Sequence, residues 1–210
     1  DGGTGDGSTS GDGASSFTDS ANPVQAVDGG INFNFGTGGG DAPSGFTQET
    51  GAAYDADRGY GWVTQDSAGT ENLTPIDLSA NGRDRDTLFT DADGNQFQDP
   101  ARDSLIHLQY PTGTEVLNAT AELAPAAWEY DLANGQYEVT VGVGDSDFSD
   151  SNHVINVEGE SLIAGFTPTA GAQEFTEGSS IVDVNDGRLT IDAIGGDNTK
   201  INYISIVPVG

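Results

Sequence analysis

AAWEYDLANGQYEVTVGV, residues 126–143, decides the fold class. Two segments, 126–132 and 136–143, flank Asn134-Gly135, and in the second Tyr137, Val139, Val141 and Val143 fall on one face. A period of two marks a half-buried strand, and Asn-Gly between two such runs is a strong tight-turn signal. The same pattern extends outward in both directions. Ile31-Asn32-Phe33-Asn34-Phe35 alternates, and residues 60–64 and 104–109 read as further strands. Residues 153–157 and 161–164 flank Glu158-Gly159, and residues 180–184 and 188–193 flank Asn185-Asp186-Gly187; both are hairpin candidates. KINYISIV, residues 200–207, is rich in β-branched residues and closes the chain as a strand. No stretch combines helical periodicity with caps; the nearest approach is TEVLNATAEL, residues 114–123. Short strands at roughly even spacing, with turn signals between them, mean an all-β sandwich or barrel.

The chain has 210 residues, enough for one sizeable sandwich or at most two small domains. Its 31 glycines show no three-residue repeat, so they signal turns rather than collagen. DGGTGDGSTSGDGASS, residues 1–16, has nothing to bury. It reads as a flexible tether, and the linker is assigned to residues 1–28, with one domain over 29–210. With no signal-peptide pattern at Asp1, the chain reads as a mature or truncated form. A tether implies neighbouring domains or an anchor on its far side, in an extracellular or cell-surface protein.

Asp and Glu number 34 against 6 Lys and Arg, a formal net charge of −28. Such a surface repels nucleic acid and anionic lipid, so neither is an expected partner. No apolar run approaches the ~20 residues needed to span a bilayer. Two compatible explanations of the carboxylates remain. One is adaptation to brine, to which the single lysine, Lys200, also points. The other is use as hard oxygen ligands for Ca²⁺. Cysteine is absent, which excludes disulfides and thiolate metal sites.

Candidate sites follow from residue chemistry. In DADGNQFQD, residues 91–99, Asp91, Asp93 and Asn95 place oxygens at alternate positions and Asp99 adds another, a pattern that can wrap Ca²⁺. It is not an EF-hand, and the plain reading is an acidic turn. Asp145, Asp147 and Asp150 form a second acidic group after a strand, with turn capping as the alternative to a cation. Tyr54, Tyr60 and Trp62 stand beside a Gly-rich loop, and rings of this kind stack on the C–H faces of sugars. Arg83, Asp84 and Arg85 offer planar polar partners for sugar hydroxyls. Against that, Trp62 and Trp128 can be core, and Arg85 can pair with an aspartate. The long irregular stretch 63–102 is expected to form the binding surface. No nucleophile elbow or His-x-x-x-His pair is present, so the chain is read as a non-enzyme. His107 and His153 are read as hydrogen-bonded strand positions. Asn72 and Asn118 begin N-glycosylation sequons.

A longer ordered series of segments carries a resemblance. It runs through INF at 31–33, APSGF at 42–46, TGAAY at 50–54, RGYGW at 58–62 and RDR at 83–85. It continues with DSLIHLQ at 103–109, Trp128, LANGQY at 132–137, GD at 144–145, INVEG at 155–159, DGRLTI at 186–191 and KINYI at 200–204. The series resembles the malectin-like, galactose-binding-like modules of secreted bacterial proteins, some of which precede rhamnogalacturonan acetylesterase-like enzymes. The resemblance implies a jelly-roll β-sandwich and, by analogy, binding of a polysaccharide or glycan without catalysis. Fold alone does not fix function, so a structural or adhesive surface domain stands as the alternative.

Overall fold

The computed structural model describes residues 22–39, 42–111 and 120–210. Fourteen strands are present among them: β1 (Ile31–Phe35), β2 (Thr47–Glu49), β3 (Tyr60–Thr64), β4 (Gly82–Asp84), β5 (Leu88–Thr90), β6 (Gln96–Gln98), β7 (Ser104–His107), β8 (Ala126–Asp131), β9 (Gly135–Gly144), β10 (His153–Val157), β11 (Glu160–Phe166), β12 (Phe175–Val184), β13 (Arg188–Asp192) and β14 (Lys200–Pro208). A seven-stranded sheet runs β12-β9-β14-β1-β2, with β7 also pairing β14 and carrying β4. The facing sheet runs β11-β10-β13-β8-β3, and β5 and β6 form a separate ribbon. The chain is therefore the all-β sandwich that the alternation predicts. Residues 112–119, which hold Asn118 and most of the 114–123 helix candidate, lie outside the described residues, as does the 1–16 tether. The described helices are one turn at Ser79–Asn81 and α1 at Pro100–Asp103.

Of the three turn signals, one closes a hairpin. β10 and β11 pair antiparallel around Glu158 (φ 52°) and Gly159 (φ 77°), two positive-φ residues as a twist-matched two-residue turn requires. The Asn134-Gly135 and Asn185-Asp186-Gly187 turns do something else. β8 pairs β3 and β13, whereas β9 pairs β12 and β14. Both turns carry the chain from one sheet to the other, and they lie side by side. The Leu132 amide donates to the Gly187 carbonyl at 2.9 Å, and Asn134 Nδ2 donates to the Asn185 carbonyl at 2.8 Å. The reason is burial on both sides of the turn. Trp128 and Val139 are both fully buried and belong to one core cluster, so the two strands face each other across the core.

That core joins a group of packed aromatic rings to an aliphatic majority. Phe33 meets Tyr60 at 4.9 Å and Trp128 at 5.0 Å, edge to face, and Phe35 meets Trp62 at 5.8 Å. Val139, Val141, Ile155, Leu189, Ile191, Ile201, Ile204 and Ile206 fill the rest. On the opposite face of the larger sheet the Tyr203 ring lies flat on Gly142, where an added Cβ would come within 2.1 Å of it. The Tyr203 hydroxyl donates to Glu177 at 2.5 Å. Residues from Asn22 onward lie against the sandwich: the Val24 amide donates to Asp99 at 3.1 Å, and the Val27 amide to Asn32 Oδ1 at 3.1 Å.

All six basic side chains turn to internal acceptors. Arg58 donates to the Ala53 and Tyr60 carbonyls, and Arg83 to the Ala80 and Gly82 carbonyls and the Tyr110 hydroxyl. Arg85 binds Asp145, Arg102 binds Asp99, Arg188 donates to the Thr70 carbonyl, and Lys200 binds Asp145 and Asp150. The single lysine is 1% exposed. The outer charge of a −28 chain thus has no free surface cation to offset it. Self-repulsion at that density weakens the compact state, and salt screens it within about 8 Å at physiological ionic strength. The melting temperature is expected to climb steadily from low to molar NaCl, with and without chelator. A flat salt response measured by calorimetry would contradict this.

Candidate functional site

Trp62 is a core residue, which removes it from the proposed sugar contacts. It is fully buried, and its Nε1 donates to Glu49 Oε1 at 3.1 Å. Burial raises the Glu49 carboxyl, and the Gly51 amide and the Trp62 indole oppose that shift. Tyr60 is half-buried against Phe33 with the Arg58 guanidinium 4.8 Å above its ring. Tyr54 is half-buried and donates to Asp131 at 2.8 Å; partial burial and that hydrogen bond push its hydroxyl up to about 12. The two arginines lie elsewhere. Arg85 is held by Asp145 through two bonds of 2.8 and 2.7 Å, which corrects its assignment as a ligand contact. Arg83 is bound to two carbonyls and a phenol, as above. The structure thus does not gather Tyr54, Tyr60, Trp62, Arg83 and Arg85 around one cleft.

The Asp91 loop is the tip of the β5–β6 ribbon. Asp91 Oδ1 accepts from the Asp93 and Asn95 amides at 2.9 and 2.7 Å, and Oδ2 accepts from Asn95 Nδ2 at 3.0 Å. These bonds hold the Asp91 carboxyl below its ordinary range. Asp99 does not join them. It is fully buried, caps α1 by accepting from the Arg102 amide, and binds Arg102 Nε at 2.5 Å. The assignment of Asp91, Asp93, Asn95 and Asp99 to one Ca²⁺ is corrected accordingly: Asp91 serves the turn and Asp99 serves the helix. The Asp99-Pro100 pair, an N-cap followed by proline at N1, was the readable signal.

The second acidic group is a structural hub. Asp145 binds both Arg85 and Lys200, the latter at 3.0 Å, and Lys200 reaches Asp150 at 3.2 Å. Burial alone would raise Asp145, but the Arg85 hydrogen bonds and the Lys200 charge outweigh it and hold the carboxyl low. Phe148 lies 5.0 Å from the Arg85 guanidinium and 5.6 Å from the Lys200 ammonium.

The two histidines flank this hub. His107 Nδ1 is 3.0 Å from Asn198 Oδ1, and its ring stacks on Tyr110 at 4.4 Å. His153 Nδ1 accepts from the Lys200 amide at 3.2 Å, which puts the proton of a neutral ring on Nε2, a buried donor with no acceptor. His153 is thus only half satisfied. Burial and the nearby Lys200 charge depress both imidazoles to about 3. Below pH 6.5 the unfolded state binds the protons and the folded state refuses them, so stability is whole above about 6.5 and lost as pH falls. Each histidine is expected to cost on the order of 1–2 kcal/mol between pH 6.5 and 5. Carboxyls raised by burial, such as Glu49 and Glu129, act in the opposite sense. The histidine share is therefore read as a difference. Denaturant titrations of His107→Gln should be less acid-sensitive than those of the parent by that amount, and equal slopes would refute it.

Open space lies beside the ribbon. β1 and β7 both pair β14 but at different ends, and Asn34 of β1 and Ser104 of β7 line a cleft of about 330 Å³. Asp84, Asp86, Asp103, Gln48 and Gln98 complete its polar wall. Oxygens of Asp84, Asp86 and Asp103 lie within 4.8 Å of one another. The pairing of Asp84 with Ser104 across β4 and β7 brings them together. Burial and then the neighbouring Asp84 push Asp103 up, although the Thr87 amide donates to it at 2.6 Å. The cluster is compatible with Ca²⁺, yet three carboxylates fall short of the six to eight oxygens that ion takes. A second cavity of about 220 Å³ shares Thr87 as a wall and is lined by Leu88, Phe89, Phe97 and Glu174. Phe89 and Phe97 pair across the ribbon with rings 5.8 Å apart, and Leu88 is 52% exposed. Both cavities are built largely from residues 84–103, the second half of the long irregular stretch.

No family model and no curated protein matches the chain. Among solved structures it is similar to protein YXIM from Bacillus subtilis, at TM-score 0.48 and 20% identity, over 86% of this chain and 40% of that one. It is also similar to the complex of plant peptide RALF23 with FER and LLG2 (0.43, 13%, 89% and 41%). A family 35 carbohydrate binding module from Clostridium thermocellum also matches (0.30, 17%, 50% and 88%). The chain spans less than half the length of the first two. At these identities and scores the likeness carries no argument, and the sandwich stands on its own strand pairing.

Proposed function

We propose that the chain is a noncatalytic carbohydrate-binding module of a secreted or surface-exposed multidomain protein, related to the malectin-like sandwiches. Its ligand lies along the β5–β6 ribbon. One observation carries this reading: two clefts that share Thr87 set the carboxylates of Asp84, Asp86 and Asp103 in one and an apolar wall of Leu88, Phe89 and Phe97 from the ribbon in the other. A sugar ring needs both, because its hydroxyls donate to carboxylates while its C–H face seeks apolar surface.

Affinity electrophoresis through gels containing soluble polysaccharides tests it. Retardation is expected with at least one glycan. Leu88→Ala and Asp84→Asn should each weaken it about tenfold, with stability moving by about 0.5 kcal/mol or less, as for surface positions. Retention insensitive to both changes but abolished by Tyr54→Ala would place the site on the other sheet. The rival reading, an adhesive or assembly domain, has one observation in its favour. β12 is a ten-residue edge strand on which Ile181 is 59% exposed. Light scattering that shows self-association abolished by Ile181→Lys would favour it.

A further inference from the structure

Resting on the glycan-binding reading, we infer that the ribbon clefts take uncharged glycans and reject polyuronates and sulfated polysaccharides. Two independent observations carry this. The first is the fate of the cations. A carboxylate or sulfate on a sugar is recognised by arginine or lysine, ideally through a bidentate pair. Arg102 is the one basic residue lining either cavity, and it is 4% exposed. Its Nε donates to Asp99, its Nη2 donates to the Asn22 carbonyl at 2.9 Å, and its guanidinium lies 5.2 Å from the centre of the Phe89 ring. The other five basic side chains are bound internally, so none is free to swing in.

The second observation is the charge already present. Asp84, Asp86 and Asp103 converge to within 4.8 Å on the wall of the larger cleft. Glu174 lines the smaller one. An anionic sugar seated in the larger cleft stands closer to the three aspartates than the screening length of about 8 Å at physiological salt. Salt therefore does not remove the repulsion, and like charges juxtaposed in an interface cost several kcal/mol. Neutral sugars meet no such penalty, since their hydroxyls donate to the same oxygens.

The test compares matched pairs that differ only in charge: oligogalactosides with oligogalacturonates, and neutral with sulfated galactans. Titration calorimetry is run on the full chain at physiological salt, both with chelator and with millimolar Ca²⁺. A neutral member is expected to bind, with its acidic counterpart weaker by about a hundredfold or more in both buffers. In the Asp84→Asn/Asp86→Asn variant the acidic counterpart should recover at least part of that difference. Equal or tighter binding of the acidic member, in either buffer, overturns the inference while leaving the glycan-binding reading intact. Binding of no glycan at all overturns both.

Discussion

Replacing Asp145 with alanine is expected to destabilise the domain by about 3–5 kcal/mol. The residue is 1% exposed and receives two bonds from Arg85 and one from Lys200. Without it, two cations remain in a site that offers little else. Of carboxylates, Lys200 keeps Asp150, whose side chain is 59% exposed, and Arg85 keeps the distant Asp147. The hub ties the segment after β4 to the end of β9 and the start of β14, so its loss loosens one end of the larger sheet. Asp147→Ala is the control. Its carboxylate is 54% exposed and 3.8 Å from Arg85, and exposed pairs of that kind contribute about 0–1 kcal/mol. Urea titrations that gave both variants the same small loss would show that the hub is incidental.

Trp62→Ala is expected to cost about 3–5 kcal/mol, the range for removing a buried large aromatic. The ring packs on Phe35 within the core, so its loss leaves a void between the sheets. It also deprives the buried Glu49 carboxylate of its indole donor. The same variant separates a core role from a binding role. Glycan retention measured at a temperature where the variant is folded should be unchanged. Lost retention with intact stability would return Trp62 to the ligand site.

Much of the fold was legible because it is local. Alternation at 31–35 and 136–143 and the turn at Glu158-Gly159 depend on residues that are neighbours in the chain. What Asn134-Gly135 joins is not local. A turn signal reports a reversal, but whether the strands pair edge to edge or face each other across a core depends on β12, β13 and β14, all more than thirty residues away. The site divides the same way. That stretch 63–102 would carry open clefts was readable from its irregularity, and Asp84, a candidate polar partner, lines one of them. The pairing of β4 with β7 that sets Asp103 beside Asp84 was not readable, because Asp103 is nineteen residues distant. Aromatic residues misled for a general reason. Type and spacing do not say which side of a sheet a ring occupies, and Trp62 faces inward. Arg85 and Asp99 misled because their partners, Asp145 and Arg102, are ordinary charged residues among many.

The most direct measurement is a backbone amide shift titration of the full chain with whichever neutral oligosaccharide is retained in gels. Perturbed amides should cluster at residues 84–103, with Asn34 and Gln48, and leave Tyr54, Tyr60 and Tyr130 unmoved. Perturbations centred on those three tyrosines, with the ribbon unaffected, would contradict a ligand groove beside β5 and β6.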